Sequence, residues 1–362
     1  LRFNSEDKLT NDPPKEFPAK LTLWLNQRYK HFKGDSTKGC ILLPCELIED
    51  NGVVLKKTIL QYADHWRLDE MFKDWINHSN YFCSTLVDRI VSGYPTDRAE
   101  IIQNEIGFKD NLLVSGEYYH SWVIKANLYV QKELPFEHTD LNVEFVDDLA
   151  PYREMKVRIL NGAHTSMVPV AYLAGMRFVK EAMDNEVVND FVASLLLKEA
   201  AITLNFPEEV KNKFVQDVLD RFGNPLLKHQ LISISLNSTS KFVSRLLNTL
   251  KDFYKSQGKL PGRIVFGLSA LIRFYKGEFN GEIINLKDDK EVLDFFSEEW
   301  GKVDDKEIDI NTLTNNVLSN SSIWKEDLTR IDQLVESVSQ NIIQIEQKGV
   351  IEALKNLSVV NS

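Results

Sequence analysis

Apolar residues Leu21, Leu25, Tyr29 and Phe32 recur at intervals of three and four across residues 19–32, the spacing that lines one face of a helix, so a core-facing helix is predicted there. Residues 34–38 interrupt the pattern, and 40–43 form a short continuous apolar run of the kind a buried parallel strand shows. Together they predict one αβ unit of a doubly wound sheet. A helix over 53–65 follows, then an aromatic and irregular stretch over 72–82. Strand-like composition returns at 84–90, 111–124 and 143–146, enough for a small additional sheet. From residue 148 strand candidates fade and helical periods take over. They run over 151–175 and 186–204, through a helix opening at Pro207 and stopping at Gly223, then over the apolar 261–275 and the amphipathic 327–357.

The switch in period divides the chain into an α/β part, 1–147, and an all-α part, 148–362. At 362 residues each is large enough for its own core. Hydrophobic and charged fractions of 43% and 27% suit a soluble globular protein, and no apolar run reaches the length of a membrane span. A net charge of −10 argues against a general nucleic-acid or anionic-membrane surface, though a local basic pocket can still take an anionic small molecule. Cys40, Cys45 and Cys83 are odd in number and lack metal-type spacing, which favours reduced thiols in a cytoplasmic protein.

Candidate chemistry concentrates in 151–175. Lys156, Asn161 and His164 follow one another at spacings of five and three, within about 140° of arc on a regular helix. An amine, an amide and an imidazole on one face suit the oxidation or reduction of a carbonyl. A poorly solvated lysine can exchange a proton, an amide can donate to a developing alkoxide, and an imidazole can orient the same oxygen or its neighbour. Gly162 and Ala163 leave room for a substrate to approach the backbone. By spacing alone the trio is also compatible with a plain polar helix face, although its apolar flanks speak against a solvated stripe.

The run Lys156-x4-Asn161-x2-His164 resembles the active-site signature of the polyol-specific long-chain dehydrogenases, the mannitol dehydrogenase family. That resemblance implies a Rossmann-type dinucleotide-binding domain followed by a helical substrate domain, NAD as cofactor and no catalytic metal. It makes Lys156 the general acid–base, Asn161 an alkoxide stabiliser and His164 a substrate-positioning group. It also implies a second alkoxide-binding asparagine at Asn51, with Glu46 nearby to contact substrate or nicotinamide, Asp88 beside the cofactor and Lys241 at the substrate. Where members acting on sugar alcohols carry an arginine, this chain has Ser233, and His229 and Asn237 stand nearby as further substrate contacts.

The wording L-P-C-E-L-I-E-D-N-G and S-L-N-S-T-S-K-F is most like the branch that interconverts tagaturonate and altronate. A fructuronate- or mannitol-type substrate and a non-catalytic helical interaction protein are the alternatives. The absence of an arginine at Ser233 leaves Lys241, His229 or an arginine elsewhere to meet a substrate carboxylate. Glu117, Tyr118, His120 and Trp122 are read as packing. The chain opens at Leu1, and no G-x-G-x-x-G occurs among its 16 glycines, so the α/β part is expected to be an incomplete Rossmann-type domain. The remaining expectations are a small sugar-acid substrate, no nucleic acid or membrane, and a monomer or weak oligomer.

Overall fold

A computed structural model describes residues 1–226 and 228–360. Their contacts separate into two compact units, Leu1–Gly93 with Val114–Arg153, and Tyr94–Leu113 with Glu154–Ser362.

The first unit contains the expected αβ element. The helix Phe17–His31 leads to β1 (Ile41–Leu42), which pairs in parallel with β2 (Tyr81–Phe82), Ile41 opposite Tyr81 and Leu42 opposite Phe82. A parallel pair needs a crossover, and here the helices Asn51–His65 and Glu70–Ser79 supply it. The second of these corrects the irregular reading of 72–82. Asp69 accepts a hydrogen bond from the Met71 N–H at the helix start, and Phe72, Trp75 and Ile76 are the buried face. Their spacing of three and four is helical, but their size drew attention to composition instead. With Leu25, Leu55, Ile59 and Ala63 they form the core of this unit.

The close packing at the start of helix Asn51–His65 depends on Gly52. A Cβ there would come within 2.6 Å of the Cys83 backbone carbon. Beyond Cys83, β3 (Thr85–Asp88), β6 (Ser121–Lys125) and β7 (Val143–Val146) form a mixed sheet in the order β3-β6-β7, antiparallel then parallel. The short β4 (Val91–Gly93) and β5 (Ser115–Gly116) pair separately. Strand structure within 111–124 is therefore narrower than its composition suggests. Trp122 packs on Phe136 at 5.8 Å between ring centroids, and Glu117 accepts from the Ile90 N–H, both structural duties.

The second unit is helical around one large apolar core. The stretch 151–175, expected as one helix, is two: Ala150–Lys156 and Gly162–Leu173, joined without a break by a π-helical turn, Val157–Asn161. Two more π-helical turns occur at Leu196–Ala200 and Val243–Leu247. The first of these places Glu199 against the helix Gly262–Phe274, where its carboxylate accepts from the Arg263 and Ile264 N–H groups at 2.9 Å each. It satisfies two amides that a helix start leaves without partners. The amphipathic stretch 327–357 divides at Gly349 into Leu334–Lys348 and Val350–Val360. Among the described residues no helix is long and apolar enough to cross a membrane.

Candidate active site

Lys156 ends the helix Ala150–Lys156 and Asn161 ends the π-helical turn that follows. In a regular α-helix five residues of separation would set them about 140° apart. In a π-helical turn, where the hydrogen bonds run from i to i+5, residues five apart stack on the same side. The turn thus brings positions 156 and 161 closer to one face than the spacing alone implies. The Asn161 side-chain amide makes no hydrogen bond among the described residues, whereas the Asn161 main-chain carbonyl accepts from Thr165 Oγ1 at 2.9 Å. Half-exposed Asn161 is free to donate to a ligand.

His164 lies in the first turn of Gly162–Leu173 and is 8% exposed. Its ring packs on Phe222 at 4.2 Å and meets His229 edge to face at 5.4 Å between centroids. Its Nε2 is buried without a hydrogen-bond partner among the described residues. A buried polar atom left open in this way asks for a ligand group. Burial, followed by the positive fields of His229, Arg245, Arg221 and Lys241, holds the ring's pKa well below the ordinary histidine value. His164 is therefore a neutral imidazole, suited to orienting a hydroxyl rather than carrying the reaction's proton.

Arg245, Arg221 and Lys241 place positive charge near the ring. His229 is half-buried, and burial lowers its pKa as well. Lys241, near the end of the short helix Ser238–Phe242, is half-buried. Its Nζ donates to the Ile234 carbonyl at 2.8 Å, and burial, then Arg245, lowers its pKa. Arg245 stands in the π-helical turn Val243–Leu247, with Nη1 donating to Thr165 Oγ1 at 3.2 Å. The sequence reading missed Arg245. The signal available was its spacing of four from Lys241, and the π-helical turn that aims it was not legible. Asn237 and Ser233 are exposed. Asn237, at φ 53°, serves as a turn before the helix, its N–H donating to the Lys287 carbonyl. Gly162 also has another use than the one expected. A Cβ there would meet Leu246 Cδ2 at 3.0 Å, so its small size admits a neighbouring side chain.

In the first unit, Asn51 is 1% exposed and its amide is fully engaged. Nδ2 donates to the carbonyls of Pro44, Glu46 and Thr85 at 2.9, 3.0 and 3.1 Å, and Oδ1 accepts from the Thr85 N–H at 2.9 Å. It clamps the loop after β1 to β3, and donation to an alkoxide would require one of those bonds to be given up. Glu46, on that loop, has a buried Oε2 without a hydrogen-bond partner among the described residues. Asp88, at the carboxyl end of β3, is buried and borders a cavity of about 280 Å³ with Val87, Trp122 and Leu141. Among the described residues no three His, Cys, Asp or Glu side chains are grouped to hold a metal ion.

Residues 8–138 match the mannitol dehydrogenase Rossmann domain, and residues 148–346 match the mannitol dehydrogenase C-terminal domain. The chain belongs to the mannitol dehydrogenase family. The family resemblance read from Lys156, Asn161 and His164 is borne out, as is an α/β domain followed by a helical one. Within the family the chain is 44% identical to the altronate oxidoreductase of Yersinia enterocolitica over 350 residues, 97% of this chain and 72% of that protein. It is also 44% identical to the altronate oxidoreductase of Bacillus subtilis over 356 residues, 98% and 72% of the two chains. The fold is shared with Pseudomonas fluorescens mannitol 2-dehydrogenase, solved with NAD and D-mannitol, at a TM-score of 0.68, 22% identity and coverage of 96% and 67%. A substrate-free D-sorbitol dehydrogenase matches at 0.74 and 20%, covering 94% and 67%.

Proposed function

We propose that this member of the mannitol dehydrogenase family is an NAD-dependent, cytoplasmic oxidoreductase that interconverts D-tagaturonate and D-altronate in hexuronate catabolism. Identity of 42–44% to altronate oxidoreductases over nearly the whole chain supports the substrate. The observation that carries the reading is the buried, open Nε2 of His164 within the positive field of Arg245, Arg221 and Lys241. A neutral hydroxyl-orienting group next to excess positive charge fits a substrate that has both hydroxyls and a carboxylate.

The open Oε2 of Glu46, on the loop beyond the carboxyl end of β1, fits a ribose hydroxyl or carboxamide donor of a dinucleotide, and Asp88 supports that end of the unit. When bound, the nicotinamide ring supplies the hydride for reduction and accepts it in oxidation. During reduction Lys156 gives a proton to the keto oxygen as that oxygen gains charge, and during oxidation it takes the proton back. Asn161 donates to the same oxygen, and His164 holds the neighbouring hydroxyl so that the reacting carbon keeps one orientation. Lys241 and His229 line the substrate side. Asn237 contributes the turn that presents the Lys241 helix, and Asn51 fixes the loop that carries Glu46. The active species is a monomer or weak oligomer.

The test is loss of NADH absorbance with tagaturonate, fructuronate and fructose offered side by side to the full-length enzyme. Preference for tagaturonate is expected. Preference for fructuronate or fructose would keep the mechanism and discard the substrate, and no oxidation with any of the three would discard both.

A further inference from the structure

We propose that Arg245 reads the substrate carboxylate, with Lys241 beside it, and thereby sets the enzyme's preference for a sugar acid over a neutral sugar; the inference rests on the uronate reading above. Other arginines of the helical unit have acidic partners. Arg158 pairs with Asp252 at 2.6 Å, Arg263 with Glu199 at 3.6 Å, and Arg273 with Glu346. Arg245 instead has one side-chain hydrogen bond, to the hydroxyl of Thr165, and no ion pair among the described residues. A half-buried guanidinium has lost part of its hydration, and the usual compensation is an anion.

The position of Arg245 points that missing anion at the active site. Thr165, its partner, directly follows His164, whose Nε2 is open. Lys241 precedes Arg245 by four positions and is tied to the Ile234 carbonyl. The acid whose field reaches Lys241 is Asp288, but its Oδ2 already accepts from Thr239 and Tyr275. A carboxylate entering from solvent thus meets two cations without a competing internal acid among the described contacts. Arginine is the better reader of the two. Its planar fork has five N–H donors, one of them in use, and can grip both carboxylate oxygens, whereas lysine offers a point charge.

The test compares altronate with altritol, which carries an alcohol where altronate has its carboxylate, by calorimetric titration of the NADH-loaded full-length enzyme, in which neither ligand can be oxidised. The readout is the ratio of the two affinities. Wild-type protein should favour altronate, Arg245→Gln should lower the ratio by about ten- to a hundredfold, and Arg245→Lys should fall between them. A ratio unchanged in folded Arg245→Gln overturns the proposal. Should that variant fail to fold, Arg245→Lys decides, because an unchanged ratio there would show that the fork is not used. A wild-type enzyme without preference for altronate overturns the uronate reading itself, and this proposal with it.

Discussion

The rings of His164 and His229 meet edge to face, 5.4 Å between centroids, although 64 residues separate them in sequence and both are depleted of water. Two imidazoles this close cannot comfortably both be charged, and Arg245, Arg221 and Lys241 add positive field from the same side. The pair is therefore held neutral in the folded protein.

Neutral His164 makes stability depend on pH in a definite direction. Unfolded, the ring takes up a proton as the pH falls through about 6.5, while the folded ring does so only far lower. In that interval the unfolded state binds more protons, so stability rises with pH. The contribution is full above 6.5 and is lost on acidification toward the folded value. The slope from His164 should approach about 1.4 kcal/mol per pH unit. His229 adds to it with the same sign. Urea denaturation between about pH 7 and about pH 5, a range that precedes most carboxylate titration, should show this slope, and His164→Asn should reduce it. Equal slopes in the two proteins would sink the assignment.

Lys156→Ala should lower kcat by about 10²–10⁴-fold, the usual worth of positioned acid–base assistance. Binding of NADH, followed by fluorescence, should change little. Near-normal turnover would remove Lys156 from the chemistry.

Glu199 offers a structural control away from the candidate site. Glu199→Ala leaves the Arg263 and Ile264 amides without their acceptor and should cost about 1–3 kcal/mol in chemical denaturation. Glu199→Gln keeps an accepting oxygen and should cost less than half as much. If both substitutions are neutral, the helix start is satisfied by other means.

Period and composition made the architecture legible. Leu21 through Phe32 announced their helix, and the change near residue 148 announced the helical part. The helix holding Phe72, Trp75 and Ile76 was obscured because bulky aromatics suit strands and helices alike, leaving spacing as the only clue. The three π-helical turns were not legible at all, since an inserted residue changes hydrogen-bond connectivity without changing residue type. That is why Lys156, Asn161 and His164 could be named as candidates from the family signature they fill, while Arg245, aimed by one of those turns, emerged only in three dimensions.

The two asparagines expected to share one oxygen differ in a way that mutation can separate. Asn161 keeps its amide out of every internal hydrogen bond among the described residues, whereas Asn51 spends its amide on Pro44, Glu46 and Thr85. Removing the Asn161 amide therefore costs the fold no internal hydrogen bond among the described residues but removes a donor to the developing alkoxide. Asn161→Ala should lower kcat by about 10²–10³-fold with an unchanged denaturation midpoint. Removing the Asn51 amide strands buried carbonyls and an N–H, so Asn51→Ala should destabilise the protein by at least about 1–3 kcal/mol, and its activity should fall with the loosened Glu46 loop. Kinetics and urea denaturation run on both variants decide the matter. A stable but slow Asn51→Ala would return that residue to the chemistry, and an unstable Asn161→Ala would make its role structural.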